Sequence, residues 1–299
     1  MSQSHRFGFV ALSGAPNAGK STLLNRLLGY KLAIVSRRPQ TTRHRILGIK
    51  TTESAQIVFV DTPGLHRNQT RNLNRVLNRT ATDSLTDVDL VLFLIDFRGW
   101  LPHQLEAFKH IRDKGLDCIL LINKIDQLKD KSKLLPLIQE SSEIFDFKAI
   151  FPISALHLEN ENELLELIVS HLPEGEAGFP EDQTNTSSDR FIASEFIREQ
   201  LFHRLGKELP YEAAVEITRF EWDDSDYLNI DATIWVEKDS QKPIVIGKSG
   251  AHLKTIGERS RHQIENYLSC KVFLNLWVKQ RRGWAENAQF LKSLGYQET

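Results

Sequence analysis

Residues Gly14-Ala15-Pro16-Asn17-Ala18-Gly19-Lys20-Ser21 set four residues between two glycines and follow the second with Lys and Ser. That spacing suits a phosphate-binding loop: the turn frees backbone N–H groups, and the helix opening behind it adds the positive end of its dipole. Lys20 would reach the β- and γ-phosphates of a nucleoside triphosphate, and the Ser21 hydroxyl is a natural Mg²⁺ ligand. Asp61, in Asp61-Thr62-Pro63-Gly64, can hold the same ion through water, while the Gly64 N–H can bond the γ-phosphate. Between these motifs, Ser36-Arg37-Arg38-Pro39-Gln40-Thr41-Thr42-Arg43 is polar, basic and aperiodic, as expected of a loop ordered only when Mg²⁺ and the γ-phosphate supply its ligands. Thr42 is the expected Mg²⁺ ligand there, with Thr41 the alternative.

A second motif, Asn123-Lys124-Ile125-Asp126, can choose the base. The Asp126 carboxylate can accept from both N1–H and the exocyclic amine of guanine; adenine lacks that donor pair and would leave the carboxylate desolvated and unpaired. Asn123 would brace the loops and the Lys124 stem would cover one face of the base. Ser154-Ala155 would offer a backbone N–H to guanine O6.

Strands and helices must hold these groups. Phe7 to Ser13 is a short apolar run suited to a buried strand, and Lys20 to Leu28 carries Leu23, Leu24, Leu27 and Leu28 at amphipathic-helix spacing. Gln56 to Val60 and Cys118 to Ile122 are further apolar strands running directly into Asp61 and Asn123, and Ala149 to Ile153 leads into Ser154. Strand, loop and helix thus occur in the order a phosphate loop requires.

These motifs, taken together, resemble the Era family of bacterial GTPases, which serve in small-ribosomal-subunit assembly. The resemblance rests on the loop Gly14 to Thr22, the run Pro39 to Arg43 continuing through His44-Arg45-Ile46-Leu47-Gly48-Ile49, and Asp61-Thr62-Pro63-Gly64-Leu65-His66. It extends through the C-terminal half to nearly the whole chain. It implies hydrolysis of GTP to GDP and phosphate, with Lys20, Thr42, Gly64 and Asn17 acting on the transferred group. Leu65 stands where many signalling GTPases carry a water-orienting Gln, which implies a slow intrinsic rate. Asn17 resembles the loop Asn that binds K⁺ in some related GTPases, a cation that would supply the charge of an arginine finger.

Composition fits about two domains in 299 residues. No apolar stretch approaches the roughly twenty residues needed to span a bilayer, and Met1 to Arg6 has no basic-then-apolar export signal; a cytoplasmic protein is expected. Cys118 and Cys270 have no metal-like spacing and read as buried small hydrophobes. The formal net charge of −1 hints at no polyanion partner when averaged over the chain.

The clearest break follows the helical segment Asn162 to Leu172. Pro173 to Asp189 is rich in Pro, Gly, Glu, Asn, Thr and Ser without apolar periodicity and reads as a linker. Beyond it, Phe191, Phe196, Ile197, Leu201 and Leu205 mark a helix, and Ala213 to Phe220, Leu228 to Val236 and Lys271 to Val278 alternate as half-buried strands. Gly247-Lys248-Ser249-Gly250 precedes a helical stretch with Leu253, Ile256, Ile264 and Leu268. That order resembles a type II KH domain, whose Gly-x-x-Gly loop clamps about four single-stranded nucleotides. Charge supports it: Arg190 to Ser240 holds six Lys/Arg against twelve Asp/Glu, whereas Gln241 to Thr299 holds ten against four. Lys248, Lys254, Lys271, Lys279, Arg281 and Arg282, beside Trp277 and Trp284, offer phosphate attraction and stacking surfaces.

The expected architecture is an α/β GTPase domain at 1–172, with a mostly parallel sheet and helices on both faces, a linker at 173–189, and an α+β KH domain at 190–299. The expected cofactors are GTP or GDP, Mg²⁺ and K⁺. As the resemblance implies, the partner is the single-stranded 3′ region of 16S rRNA in the 30S subunit, gripped through Gly247, Lys248, Ser249, Gly250, Lys254, Lys279 and Arg281; DNA is not expected, and the protein should be a monomer. The alternative is a GTP-regulated protein whose KH-like domain docks protein, or lipid at the inner face of the cell membrane.

Overall fold

The structure is a computed structural model that describes residues 5–36, 38, 41–61, 87–206 and 209–296. Contacts divide these into two units: residues 5–33, 42–61 and 87–186 form the first, and residues 34–36, 38, 41, 187–206 and 209–296 the second.

The first unit is built on a six-stranded sheet in the order β2-β3-β1-β4-β5-β6, formed by β1 (Arg6–Gly14), β2 (Ile46–Thr51), β3 (Ala55–Asp61), β4 (Leu90–Asp96), β5 (Cys118–Asn123) and β6 (Ala149–Pro152). Only β2 runs antiparallel, against β3. Every residue of β3 and β5 is buried, which explains why these strands are continuous apolar runs and not alternating ones: a sheet covered on both faces leaves no side for water. Helices α1 (Lys20–Leu28), α2 (Pro102–Asp113), α3 (Leu134–Ile144) and α4 (Glu161–Ser170) alternate with the strands. Because β1 pairs with β3 on one side and β4 on the other, strand order reverses at β1. Its carboxyl end is where an open parallel sheet leaves a ligand crevice. Burial pushes the Cys118 thiol far above its ordinary pKa, and the side chain has no exposed surface.

The segment read as a linker differs from that expectation over most of its length. Residues 173–186 belong to the first unit, joined by bonds from Phe7 N to Pro173 O (3.2 Å), Gly175 N to His5 O (3.0 Å) and Ile49 N to Thr184 O (2.8 Å). The fully buried Gln56 amide acts as a surrogate strand neighbour: Nε2 donates to Phe179 O and Oε1 accepts from Phe179 N, both at 2.9 Å. Ordering here comes from backbone bonds, which need no apolar periodicity.

The second unit has a three-stranded sheet, β7 (Ala213–Trp222), β8 (Tyr227–Val236) and β9 (Lys271–Gln280), with β8 central, antiparallel to β7 and parallel to β9. Leu228, Ile230, Ala232, Ile234 and Val236 point to its buried face, the period of two that a one-sided sheet demands. Helices α5 (Asp189–Arg204), α6 (Lys242–Ile246) and α7 (Ala251–Leu268) complete the unit, and α8 (Ala288–Ser293) follows β9. The Ser188 side chain caps α5 by accepting from Phe191 N, so the helix begins inside the expected linker. No helix among the described residues is long and apolar enough to cross a membrane.

Candidate nucleotide and nucleic-acid sites

β1 ends at Gly14, whose φ of +132° and position 2.4 Å (at an added Cβ) from Leu94 O exclude any side chain. The chain turns through Ala15, Pro16 and the exposed Asn17, itself at φ +63°, and enters α1 at Gly19. Gly19 sits at φ +108°, and a Cβ there would lie 2.1 Å from Asn123 Nδ2. The helix has no side-chain cap bond at this end, leaving its first N–H groups to an anion. Lys20 is 7 % exposed, and its Nζ donates to Gly14 O at 2.9 Å and Ala15 O at 3.0 Å. Burial lowers its pKa and the Asp61 carboxylate partly restores it. A desolvated ammonium aimed along its own loop is what phosphate oxygens would complete.

Three oxygens converge beside it. Ser21 Oγ donates to Asp61 Oδ2 at 2.8 Å and lies 3.0 Å from Thr42 Oγ1, which is 3.4 Å from the same carboxylate oxygen. Thr41, the alternative ligand, instead bonds Ser36 Oγ (2.7 Å) and Arg38 O (2.9 Å). Among the described residues no group of three or more His, Cys, Asp or Glu side chains could hold a metal. Two hydroxyls and one carboxylate fit Mg²⁺, which keeps several waters and takes phosphate oxygens as its remaining ligands. Thr62, Pro63, Gly64 and Leu65 lie outside the described residues, as do Arg37, Pro39 and Gln40.

At the base end, Asn123 is 2 % exposed and ties three segments together. Its Nδ2 donates to Ala18 O at 2.7 Å, and its Oδ1 accepts from Lys124 N (2.7 Å) and Ala155 N (2.8 Å). Of the two backbone N–H groups that Ser154-Ala155 could offer to guanine O6, that of Ala155 is donated to Asn123 in this structure. Ile125 N bonds Ile153 O at 3.3 Å, joining the motif to the end of β6. The exposed Asp126 accepts from Ser154 Oγ at 2.7 Å, a polar partner that a guanine edge would replace or share. Lys124, at φ +66°, brings Nζ within 3.8 Å of Asp96. Burial alone would raise the Asp96 carboxyl, but its bonds to Arg98 and the nearby Lys124 charge hold it below the usual range. Asp96 and Arg98 belong to no recognised motif, so spacing alone does not mark them. The same holds for Asn25, which fixes the turn after α1 by accepting from Leu32 N (3.0 Å) and Ala33 N (2.8 Å).

In the second unit, the Gly-x-x-Gly loop lies between α6 and α7. Gly247 has φ +77°, and a Cβ would meet the His252 ring at 2.7 Å and its backbone N at 2.9 Å; Gly250 has φ +80°. Lys248 and Ser249 are exposed at the tip, and Ile244 nearby is 53 % exposed. Lys254 reaches Glu258 only at 3.9 Å, on the surface. One expected contributor needs correction. Trp284 has no exposed surface and donates Nε1 to Glu212 O at 3.1 Å, so it is core and offers no stacking face, whereas Trp277 remains 44 % exposed. The Arg281 guanidinium lies 3.7 Å from the Phe290 ring centroid, and Lys279 Nζ lies 6.0 Å from that of Trp235. Both charges thus lean on aromatic side chains of their own unit. Cys270, read as buried, is only half-buried.

Residues 9–124 match the family model of a 50S ribosome-binding GTPase, and residues 208–285 match that of a KH domain. The chain is 50 % identical to GTPase Era of Stenotrophomonas maltophilia (strain K279a) over 293 residues, 98 % of each chain. It is similar to the crystal structure of an Aquifex aeolicus Era variant bound to GDP·AlF4⁻, with a TM-score of 0.95 and 39 % identity over 98 % of this chain and all of that one. The same values hold for a crystal structure of Era in complex with MgGDPNP and nucleotides 1506–1542 of 16S ribosomal RNA.

Proposed function

Since this chain belongs to the Era family of GTPases, we propose that it is a GTP-driven RNA switch that grips the single-stranded 3′ region of 16S rRNA during 30S subunit assembly. It is a GTPase with a P-loop domain and a C-terminal KH domain. The observation that carries the nucleotide half is the buried Lys20 ammonium beside Ser21, Thr42 and Asp61.

Lys20 and the backbone of Gly14 to Gly19 hold the phosphates; Ser21 and Thr42, with Asp61 behind a water, would hold Mg²⁺. That ion, when bound, neutralises charge on the β- and γ-phosphate oxygens. Asp126 selects guanine and Asn123 keeps the two motifs in register. Water attacks the γ-phosphorus, the bond to the β–γ bridging oxygen breaks, and GDP and phosphate leave. Leu65 has no polar group with which to orient that water, so the intrinsic reaction is slow, and Asn17 would hold a K⁺ that offsets part of the charge. The protein acts in the cytoplasm as a monomer.

Support for the RNA half comes from the Gly247–Gly250 geometry and from the rRNA-bound Era structure. Bound GTP favours the RNA-gripping state, so RNA must tighten GTP binding by the same factor. Titrating the whole chain with a 16S 3′-end oligonucleotide, with GDP or a non-hydrolysable GTP analogue present, measures this. Tighter RNA binding with the analogue is expected; equal affinity in both states would remove the switch.

A further inference from the structure

The polar loop before β2 is divided between the two units. The described residues of Ile34–Thr41 pack within the second unit, whereas Thr42 belongs to the first. Inside the second unit, α5 holds this backbone. The Val35 N–H donates to Glu199 Oε1 at 2.8 Å, and Arg198 Nη2 donates to Thr41 O at 2.6 Å. Arg38 donates to Leu205 O at the end of the same helix. Glu199 and Arg198 are 1 % and 2 % exposed, so a partner removed there is not replaced by water.

These bonds are themselves braced. Arg198 donates to both Glu195 carboxylate oxygens at 2.6 Å. Glu199 Oε2 accepts from Gln263 Nε2 at 2.7 Å, and Gln263 Oε1 accepts from Gln200 Nε2 at 3.1 Å. Gln263 lies on α7, the helix that starts directly after Gly250. A chain of hydrogen bonds therefore runs from the helix behind the Gly-x-x-Gly loop to the backbone at Val35. At the other end of that stretch, one peptide bond separates Thr41 from Thr42.

We propose that Glu199 is a positioning residue for GTP hydrolysis: by holding the Val35 N–H, with Arg198 holding Thr41 O, it fixes the loop backbone that presents Thr42. This rests on the reading of Thr42 as a ligand needed in the GTP state. GDP has no γ-phosphate and does not require the loop ordered, so Glu199 acts on turnover of GTP and not on GDP affinity.

The test uses the full-length protein. Glu199→Met keeps the volume but removes both acceptor oxygens. Glu199→Gln keeps one oxygen for Val35, and the amides of Gln263 and Gln200 can flip in step to accept the new N–H₂ group. The Met variant should lose about tenfold in kcat, as one lost buried acceptor implies, with the Kd for GDP unchanged and the Gln variant within about twofold of wild type. Gln263→Leu, which frees one Glu199 oxygen without touching the loop, should show the same pattern at about threefold. Unchanged turnover in Glu199→Met, or parallel loss of GDP affinity and turnover as from general unfolding, overturns the proposal. Equal losses in the Met and Gln variants overturn it too. Lys20→Ala separates the two readings: if that variant still bound nucleotide, the phosphate loop itself would be misassigned, whereas its failure beside a fully active Glu199→Met sinks only the role given to Glu199.

Discussion

Two glycine loops in this molecule open helices in nearly the same way and are held very differently. Gly19 before α1 and Gly250 before α7 are both left-handed caps with no side-chain cap bond. The first loop is clamped from far along the chain, by Asn123 on Ala18 O, and its lysine is buried against its own carbonyls. In the second, Gly247 N bonds Pro243 O at 2.8 Å and Gly250 N bonds Gly247 O at 3.1 Å, while Lys248 stands exposed. A loop fixed by distant elements suits one ligand of fixed shape. A loop fixed by its neighbours, with exposed charge, suits a polymer whose repeating phosphates can be met in more than one register.

If that contrast is sound, damage to the first loop should be the more severe. Lys20→Ala should weaken triphosphate binding by about a thousandfold, since a desolvated cation opposite phosphate is lost, while the second unit's circular dichroism and RNA affinity in the nucleotide-free state stay unchanged. Calorimetric titration with GTP decides it. Asp126→Asn should cost GTP roughly a hundredfold and improve binding of xanthine nucleotides, whose ring presents an acceptor where guanine has its amine; unaltered GTP affinity would remove Asp126 from the base site.

The polymer loop should fail more gradually. Lys248→Asp with Ser249→Asp should weaken single-stranded RNA by about tenfold or more at every salt concentration, with wild-type affinity falling steeply as salt rises because neutralised phosphates release counterions. GTP binding should be untouched, and undiminished RNA binding would move the contact to another surface. The smallest effect is expected at Asn17: turnover in K⁺ should exceed that in Na⁺ by about threefold, on the order of 0.7 kcal/mol, and Asn17→Ala should erase the difference. Identical rates in both salts would end the cation proposal.

The first site was the more legible of the two in sequence. Glycines, Lys20, Ser21, Asn123 and Asp126 are local in spacing, and the apolar strands that carry them are continuous because both sheet faces are covered. Thr42 could be separated from Thr41 only by seeing which hydroxyl reaches Ser21. The strap at 173–186 was hidden because its order lies in backbone bonds and in one buried amide, Gln56. Trp284 misled because an aromatic beside a basic run looks alike in sequence whether its indole faces water or donates to a buried carbonyl. Glu199 belongs to no motif, and the partner of one of its oxygens is the backbone of a loop more than 150 residues earlier in the chain, a pairing that no local spacing displays.

Cys118 turns the nucleotide unit into its own clock. The thiol sits in a central strand five residues before Asn123, wholly covered and held far from its thiolate form, so an alkylating reagent can reach it only when β5 opens. Cys270, half-buried two residues past the end of α7, should react without such an opening. Labelling kinetics at the two sulfurs therefore separate accessibility from unfolding within a single sample. Guanine nucleotide in excess should slow the Cys118 phase by the factor 1 + [L]/Kd, since opening of β5 takes Asn123 and the site with it, and leave the Cys270 phase where it was.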